Sequence, residues 1–115
     1  MIKSKRIVIT LNAEGVHVWK SCDIEEVIYL SNLHRHTFYF RLEKEVTHND
    51  RDIEIIKLKH DIKDYLALKY YDTELRTHVF NGSSCEDIAE DLLKTFDAYS
   101  VEVLEDNENG AIITK

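Results

Sequence analysis

Three histidines stand where the chain alternates in the manner of a strand. His34 and His36 lie two residues apart in Leu33-His34-Arg35-His36, and His17 falls in Val16-His17-Val18-Trp19. Residues i and i+2 of a strand point the same way. His34 and His36 can therefore offer two imidazoles to one ion, and His17 on a neighbouring strand can offer a third. Three neutral ring nitrogens with one position left open is the arrangement of catalytic zinc, whose fourth site takes water or a substrate oxygen. The competing reading is a set of surface or hydrogen-bonded histidines with no ion. His48, His60 and His78 have no matching partners and read as surface residues.

Glu105 follows Val101 and Val103 on one strand face, where alternation predicts another apolar side chain. A carboxylate there must meet solvent or a hydrogen-bonding partner, since burying it unpaired costs several kcal/mol. Two uses are open: a solvated strand end, or a clamp for the paired N–H groups of a pterin or guanine ring. Cys22 lies between His17 and His34. Beside a metal or a histidine its thiol would be activated as a nucleophile or base, and otherwise it is a small buried hydrophobe. Cys85 falls on the apolar stripe of a helix and reads as core. At the start of that helix, Ser83 or Ser84 can cap and Glu86 or Asp87 can complete a capping box; Glu86 is equally explained as a ligand contact.

Several elements must position these groups. Ile7, Ile9 and Leu11 alternate, Asn12-Ala13-Glu14-Gly15 reads as a turn, and Val16 to Trp19 resumes, which predicts two strands in a hairpin. Asp23 to Asn32 reads as a loop. The clearest strand runs from His34 to Val46, with Phe38, Phe40 and Leu42 on the histidine face. His48 to Arg51 reads as a turn and Ile53 to Ile56 as a returning strand. Charges between His48 and Glu54 either solvate that hairpin or let Arg51 grip an anionic substrate group. Leu58, Ile62, Tyr65, Leu66 and Tyr70 recur at helical spacing, as do Cys85, Ile88, Ala89, Leu92 and Phe96. Tyr99 to Val103 and Ala111 to Thr114 read as a closing hairpin through Asp106 to Gly110. These elements fit one α+β domain over residues 1–115.

Fifteen basic against twenty-two acidic residues give a formal charge of −7, a field that repels nucleic-acid and anionic lipid surfaces. The apolar run Ile7-Val8-Ile9 is too short for a signal-peptide core or a membrane span. Two cysteines outside any C-x-x-C pair read as reduced thiols. The expectation is a cytoplasmic protein.

The order of motifs resembles the 6-pyruvoyl-tetrahydropterin synthase and 6-carboxytetrahydropterin synthase family. His17, His34 and His36 are similar to its early strand histidine and His-x-His. Glu54-Ile55-Ile56-Lys57-Leu58-Lys59 is similar to its Asp-Phe-x-x-Leu-Lys segment. Ser84-Cys85-Glu86-Asp87-Ile88-Ala89 resembles its helix-start motif, and Val101-Glu102-Val103-Leu104-Glu105 its Val-x-Val-x-Glu strand. The resemblance implies the tunnelling fold, here a four-stranded antiparallel sheet with two helices on one face in the order ββααββ. It also implies zinc on His17, His34 and His36, a pterin-like or purine-like ligand anchored by Glu105 near Ser84 and Glu86, and assembly into a homo-oligomer, commonly a hexamer.

Two features depart from that pattern. The family's catalytic cysteine falls a few residues before the His-x-His, whereas Cys22 is twelve before His34. Its Asp-His pair is missing from Tyr70-Tyr71-Asp72-Thr73-Glu74-Leu75. The functional expectation is a zinc-dependent lyase-like enzyme in which Cys22 moves a proton. The alternatives are a non-catalytic protein that sequesters a pterin-like or purine-like molecule, and an acidic structural or regulatory subunit without a ligand.

Overall fold

A computed structural model describes residues 1–115. Strand β1 (Arg6–His17) leads through a short 3-10 helix (Glu25–Ser31) to β2 (His34–Glu45). Helix α1 (Ile55–Tyr70), strands β3 (Tyr71–Asp72) and β4 (Thr77–Asn81), helix α2 (Cys85–Phe96), and strands β5 (Ser100–Glu105) and β6 (Asn109–Thr114) follow. One six-stranded sheet has the order β3-β4-β1-β2-β5-β6. All its neighbours are antiparallel except β1 and β4, which run parallel.

The expected four-stranded antiparallel sheet is therefore corrected to six strands in a mixed sheet, with the 3-10 helix beside the two α-helices. The added strands are short. β3 and β4 together have seven residues, too few for periodicity to register, and β4 is held by pairing with Gly15 to His17. Asp23 to Asn32, expected as a loop, holds the 3-10 helix.

Two further expectations give way for local reasons. Asn12 to Gly15 is no turn, because β1 runs unbroken through it and pairs with β2 from Arg6↔Glu45 to His17↔His34. Its small residues Ala13 and Gly15 occupy the inward positions, and a Cβ on Gly15 would stand 2.4 Å from the Phe80 ring and 3.2 Å from that of Phe38. The glycine is there to admit those rings. Ile53 to Ile56 is no returning strand either: Glu54 caps α1 by accepting from the Lys57 amide at 2.8 Å, and Ile55 and Ile56 form an exposed first turn.

Parity places the core. Ile9 and Leu11 of β1, Phe38, Phe40 and Leu42 of β2, and Val101 and Val103 of β5 share one face and pack on Leu58, Ile62 and Leu66 of α1 and Ile88, Ala89 and Leu92 of α2. The helices are tied to each other by Asp91, which accepts from Tyr65 Oη at 2.7 Å and Tyr70 Oη at 2.6 Å and pairs with Lys69 at 3.0 Å. Burial pushes the Asp91 carboxyl up, but the two tyrosine hydroxyls and the Lys69 ammonium outweigh it and hold the pKa below 3.8. No helix is long and apolar enough to cross a membrane.

Replacing Gly15 with alanine should overpack the Phe38–Phe80 contact and cost about 1–3 kcal/mol, read as a lower urea midpoint. Asp91→Ala, which strands two hydroxyls, should cost roughly 1–3 kcal/mol at pH 7. Because the folded pKa is depressed, that contribution is present above about pH 3.8 and is lost as pH falls through the lower folded value. Wild type and variant should thus converge in stability in acid, and a gap that persists undiminished at pH 2 would contradict the assignment.

Candidate metal centre and ligand cleft

The register of the first two strands sets His17 directly opposite His34, on the rung two residues beyond the Gly15↔His36 pair. All three imidazoles project on the core face, just past Phe38. Ring centroids are 4.5 Å apart for His17 and His34, 5.0 Å for His34 and His36, and 5.3 Å for His17 and His36. One nitrogen from each ring lies within 4.8 Å of the other two. A tetrahedral ion with nitrogens about 2.05 Å away has edges of about 3.4 Å, so binding would draw the rings slightly together.

Each ring is oriented by a group that can only accept. His17 Nδ1 meets the Ser83 carbonyl at 2.9 Å, His34 Nδ1 the Asn32 carbonyl at 2.8 Å, and His36 Nδ1 the Asp106 carboxylate at 2.8 Å. Nδ1 must then carry the hydrogen in all three, and in the neutral ring Nε2 keeps its lone pair. Carbonyl or carboxylate support of the far nitrogen is how metal-bound histidines are held. The Nε2 atoms of His17 and His36 are buried and make no hydrogen bond. They stand close to Glu105 instead, with His17 Nε2 3.0 Å from Oε2 and His36 Nε2 3.5 Å from Oε1.

Acceptor nitrogens this close to a carboxylate call for a cation beside them, and either a proton or a metal ion meets that need. The electrostatics agree. Burial pulls the His17 pKa down, but the adjoining Glu105 carboxylate and the Ser83 carbonyl outweigh it and leave it above 6.5. Reciprocally, His17 first and then His36 hold Glu105 below its ordinary range despite burial. Asp106 is lowered by His36 and by the Thr37 amide.

A cleft of about 440 Å³ opens beside the triad, within the size range of small-molecule sites. His17, His34, Glu105, Ser84 and Glu86 all line it, so five of the six residues singled out from sequence for metal or substrate contact meet in one place; His36 stands behind, next to Glu105. Ser84 and Asp87 form a capping box at the start of α2, so the Ser84 oxygen is already engaged. Glu86 is exposed there. Trp19 forms part of the wall.

Cys22, the residue assigned a proton-transfer role, does not line the cleft. It is buried, and its thiol donates to the Val27 carbonyl at 3.6 Å. Cys85, read as core from its helical stripe, is buried too but borders the cleft, and its thiol donates to Glu105 Oε2 at 3.7 Å. Burial, then Glu105 and Glu86, push its pKa up to about 12. It is therefore protonated at neutral pH.

Sequence reasoning missed Asp106 as well. Asp106 and Asn107 both take left-handed backbone angles in the β5–β6 turn, which aspartate and asparagine tolerate. This folds the Asp106 side chain back onto the Thr37 amide and His36. The only sequence signal was its place next to Glu105. A scan against protein-family models finds no match to this chain, and a search of curated proteins finds none either.

If Asp106 holds His36 for a metal, Asp106→Ala should weaken zinc binding about 10- to 100-fold in a chelator competition, the usual effect of removing such a support. An unchanged affinity would mean that Asp106 does not support His36 as a ligand.

Proposed function

We propose that this chain is a zinc-dependent, lyase-like enzyme of the 6-pyruvoyl-tetrahydropterin and 6-carboxytetrahydropterin synthase type. It acts on a pterin or a related purine-like compound, and zinc is held by His17, His34 and His36. The observation that carries this reading is the convergence of three imidazoles whose Nδ1 atoms are all occupied by acceptors while two buried Nε2 atoms lack partners beside a carboxylate. Donor chemistry and support fit zinc, which when bound supplies a Lewis acid able to polarise a substrate oxygen. The two free cysteines are in keeping with a reducing, cytoplasmic setting. Assembly into a homo-oligomer belongs to the same reading.

The chain's own residues would act as follows. Glu105 accepts two parallel N–H bonds from the ring, as a carboxylate can. Trp19 offers an aromatic wall. The Cys85 thiol, protonated and beside Glu105, holds a proton at the floor of the cleft. A second reading, a binding protein that keeps the pocket without the reaction, is favoured by one observation: the Cys22 thiol is tied to Val27 outside the cleft.

Exchanging both His34 and His36 for alanine should abolish stoichiometric zinc in the purified protein, and full occupancy in that variant would remove the metal assignment. Zinc uptake by the wild type should strengthen as pH rises through the elevated His17 pKa, because the protonated ring cannot ligate. Incubating the zinc-loaded protein with dihydroneopterin and with its triphosphate, followed by mass analysis, separates enzyme from binding protein: new products from either compound exclude the second reading.

A further inference from the structure

We infer that Glu105 is the fourth ligand of an ion on the three histidines before a ring compound enters the cleft, and that it leaves the ion when the ring arrives. This rests on the reading of the triad as a zinc site and of the cleft as a ring-binding site, and it names what fills the fourth coordination position between turnovers.

Three neighbouring strands bring the donors together. β1 supplies His17, β2 supplies His34 and His36, and β5 ends in Glu105, which pairs with Phe38, two residues beyond His36. Parity puts Glu105 on the face of the buried Val101 and Val103, the face to which the imidazoles project. Diagonal neighbours across adjacent strands are within reach of one another through long side chains. Here Oε2 stands 3.0 Å from His17 Nε2 and Oε1 stands 3.5 Å from His36 Nε2. A nitrogen and an oxygen bound to one tetrahedral zinc are about 3.3 Å apart. The carboxylate therefore already keeps ligand-to-ligand spacing from two of the three imidazoles. The set of ligand atoms within 4.8 Å of one another takes in the histidines alone, so Glu105 must draw in, as the rings must, to complete the tetrahedron.

The neighbouring donors are committed elsewhere. Asp106 gives Oδ2 to His36 Nδ1 and Oδ1 to the Thr37 amide. The Cys85 thiol donates to Glu105 itself, and Glu86 is exposed in the first turn of α2. Glu105 is also the carboxylate that would accept two N–H bonds from a ring. Metal and ring then compete for the same two oxygens. A ring that captures them uncovers the position that a substrate oxygen needs for polarisation. The ligand of the cleft thereby opens the metal site, and without it the ion holds no water to activate.

A crystal structure of the zinc-loaded protein without a ring compound tests the first half. A Glu105 oxygen should lie about 2.0–2.2 Å from zinc. Zinc on the three histidines with water in the fourth position and both Glu105 oxygens beyond about 3 Å would overturn the inference and leave the histidine assignment standing. Glu105→Gln keeps the shape of the side chain and an acceptor for Cys85, so it should fold. It should lose at least about tenfold in zinc affinity in a chelator competition, and an unchanged affinity would overturn the inference too. Dihydroneopterin added to the cobalt-substituted wild type should change the visible absorption of the ion as the carboxylate leaves. Binding seen by calorimetry with no spectral change would overturn the inference while sparing the ring-binding reading. Failure of dihydroneopterin to bind would overturn both. A wild type that takes up no zinc would overturn the inference together with the metal assignment.

Discussion

Twelve rungs join β1 to β2, from Arg6↔Glu45 to His17↔His34, and the meeting of the three histidines follows from that register. Because side chains alternate, the pairing that sends Leu11, Phe38 and Phe40 into the core also sends His17, His34 and His36 to the same face at the strand ends. A slip of one residue would turn both the core residues and the histidines of the slipped strand to the opposite side. The site is thus bound to the core by geometry. Gly15 shows the coupling at one position: it leaves space for Phe38 and Phe80, and it is the residue opposite His36.

Glu105 occupies the centre of the site's electrostatics. It lies against two imidazole nitrogens that have no hydrogen-bond partner, and it receives the Cys85 thiol. A half-buried carboxylate surrounded by so few donors is costly unless a positive charge joins it. The opposite shifts of His17 and Glu105 express the same demand from either side. The rest of the cleft adds carboxylate rather than cationic charge, with Glu86 in the first turn of α2. Three imidazoles beside an acidic cleft are the chemical character that results.

The two α-helices do more than cover the sheet. The start of α2 supplies Ser84, Cys85 and Glu86 to the cleft, and the loop before it supplies the Ser83 carbonyl that orients His17. The position of α2 is fixed in turn by Ile88, Ala89 and Leu92 in the core and by the Asp91 link to Tyr65 and Tyr70 of α1. Packing far from the histidines therefore controls one wall of the cleft.

The sequence by itself determined the α+β class, both α-helices, the long strand from His34 and the closing hairpin, because each has an uninterrupted apolar period. It also singled out His17, His34, His36, Glu105, Ser84 and Glu86 by residue type and by strand or cap position, and the structure places them close together. It did not determine that Asn12 to Gly15 continues a strand, because small residues there look like a turn until Phe80 arrives from β4 to fill the space they leave. Nor could it assign Ile55 and Ile56 to a helix, whose cap depends on the Glu54 side chain, or detect β3 and β4, which exist through pairing with distant residues. Only the tertiary structure decided which cysteine borders the cleft and that Asp106 supports His36. Those are contacts between residues as much as 70 positions apart, set by how the turn and the helix pack and invisible to any local pattern.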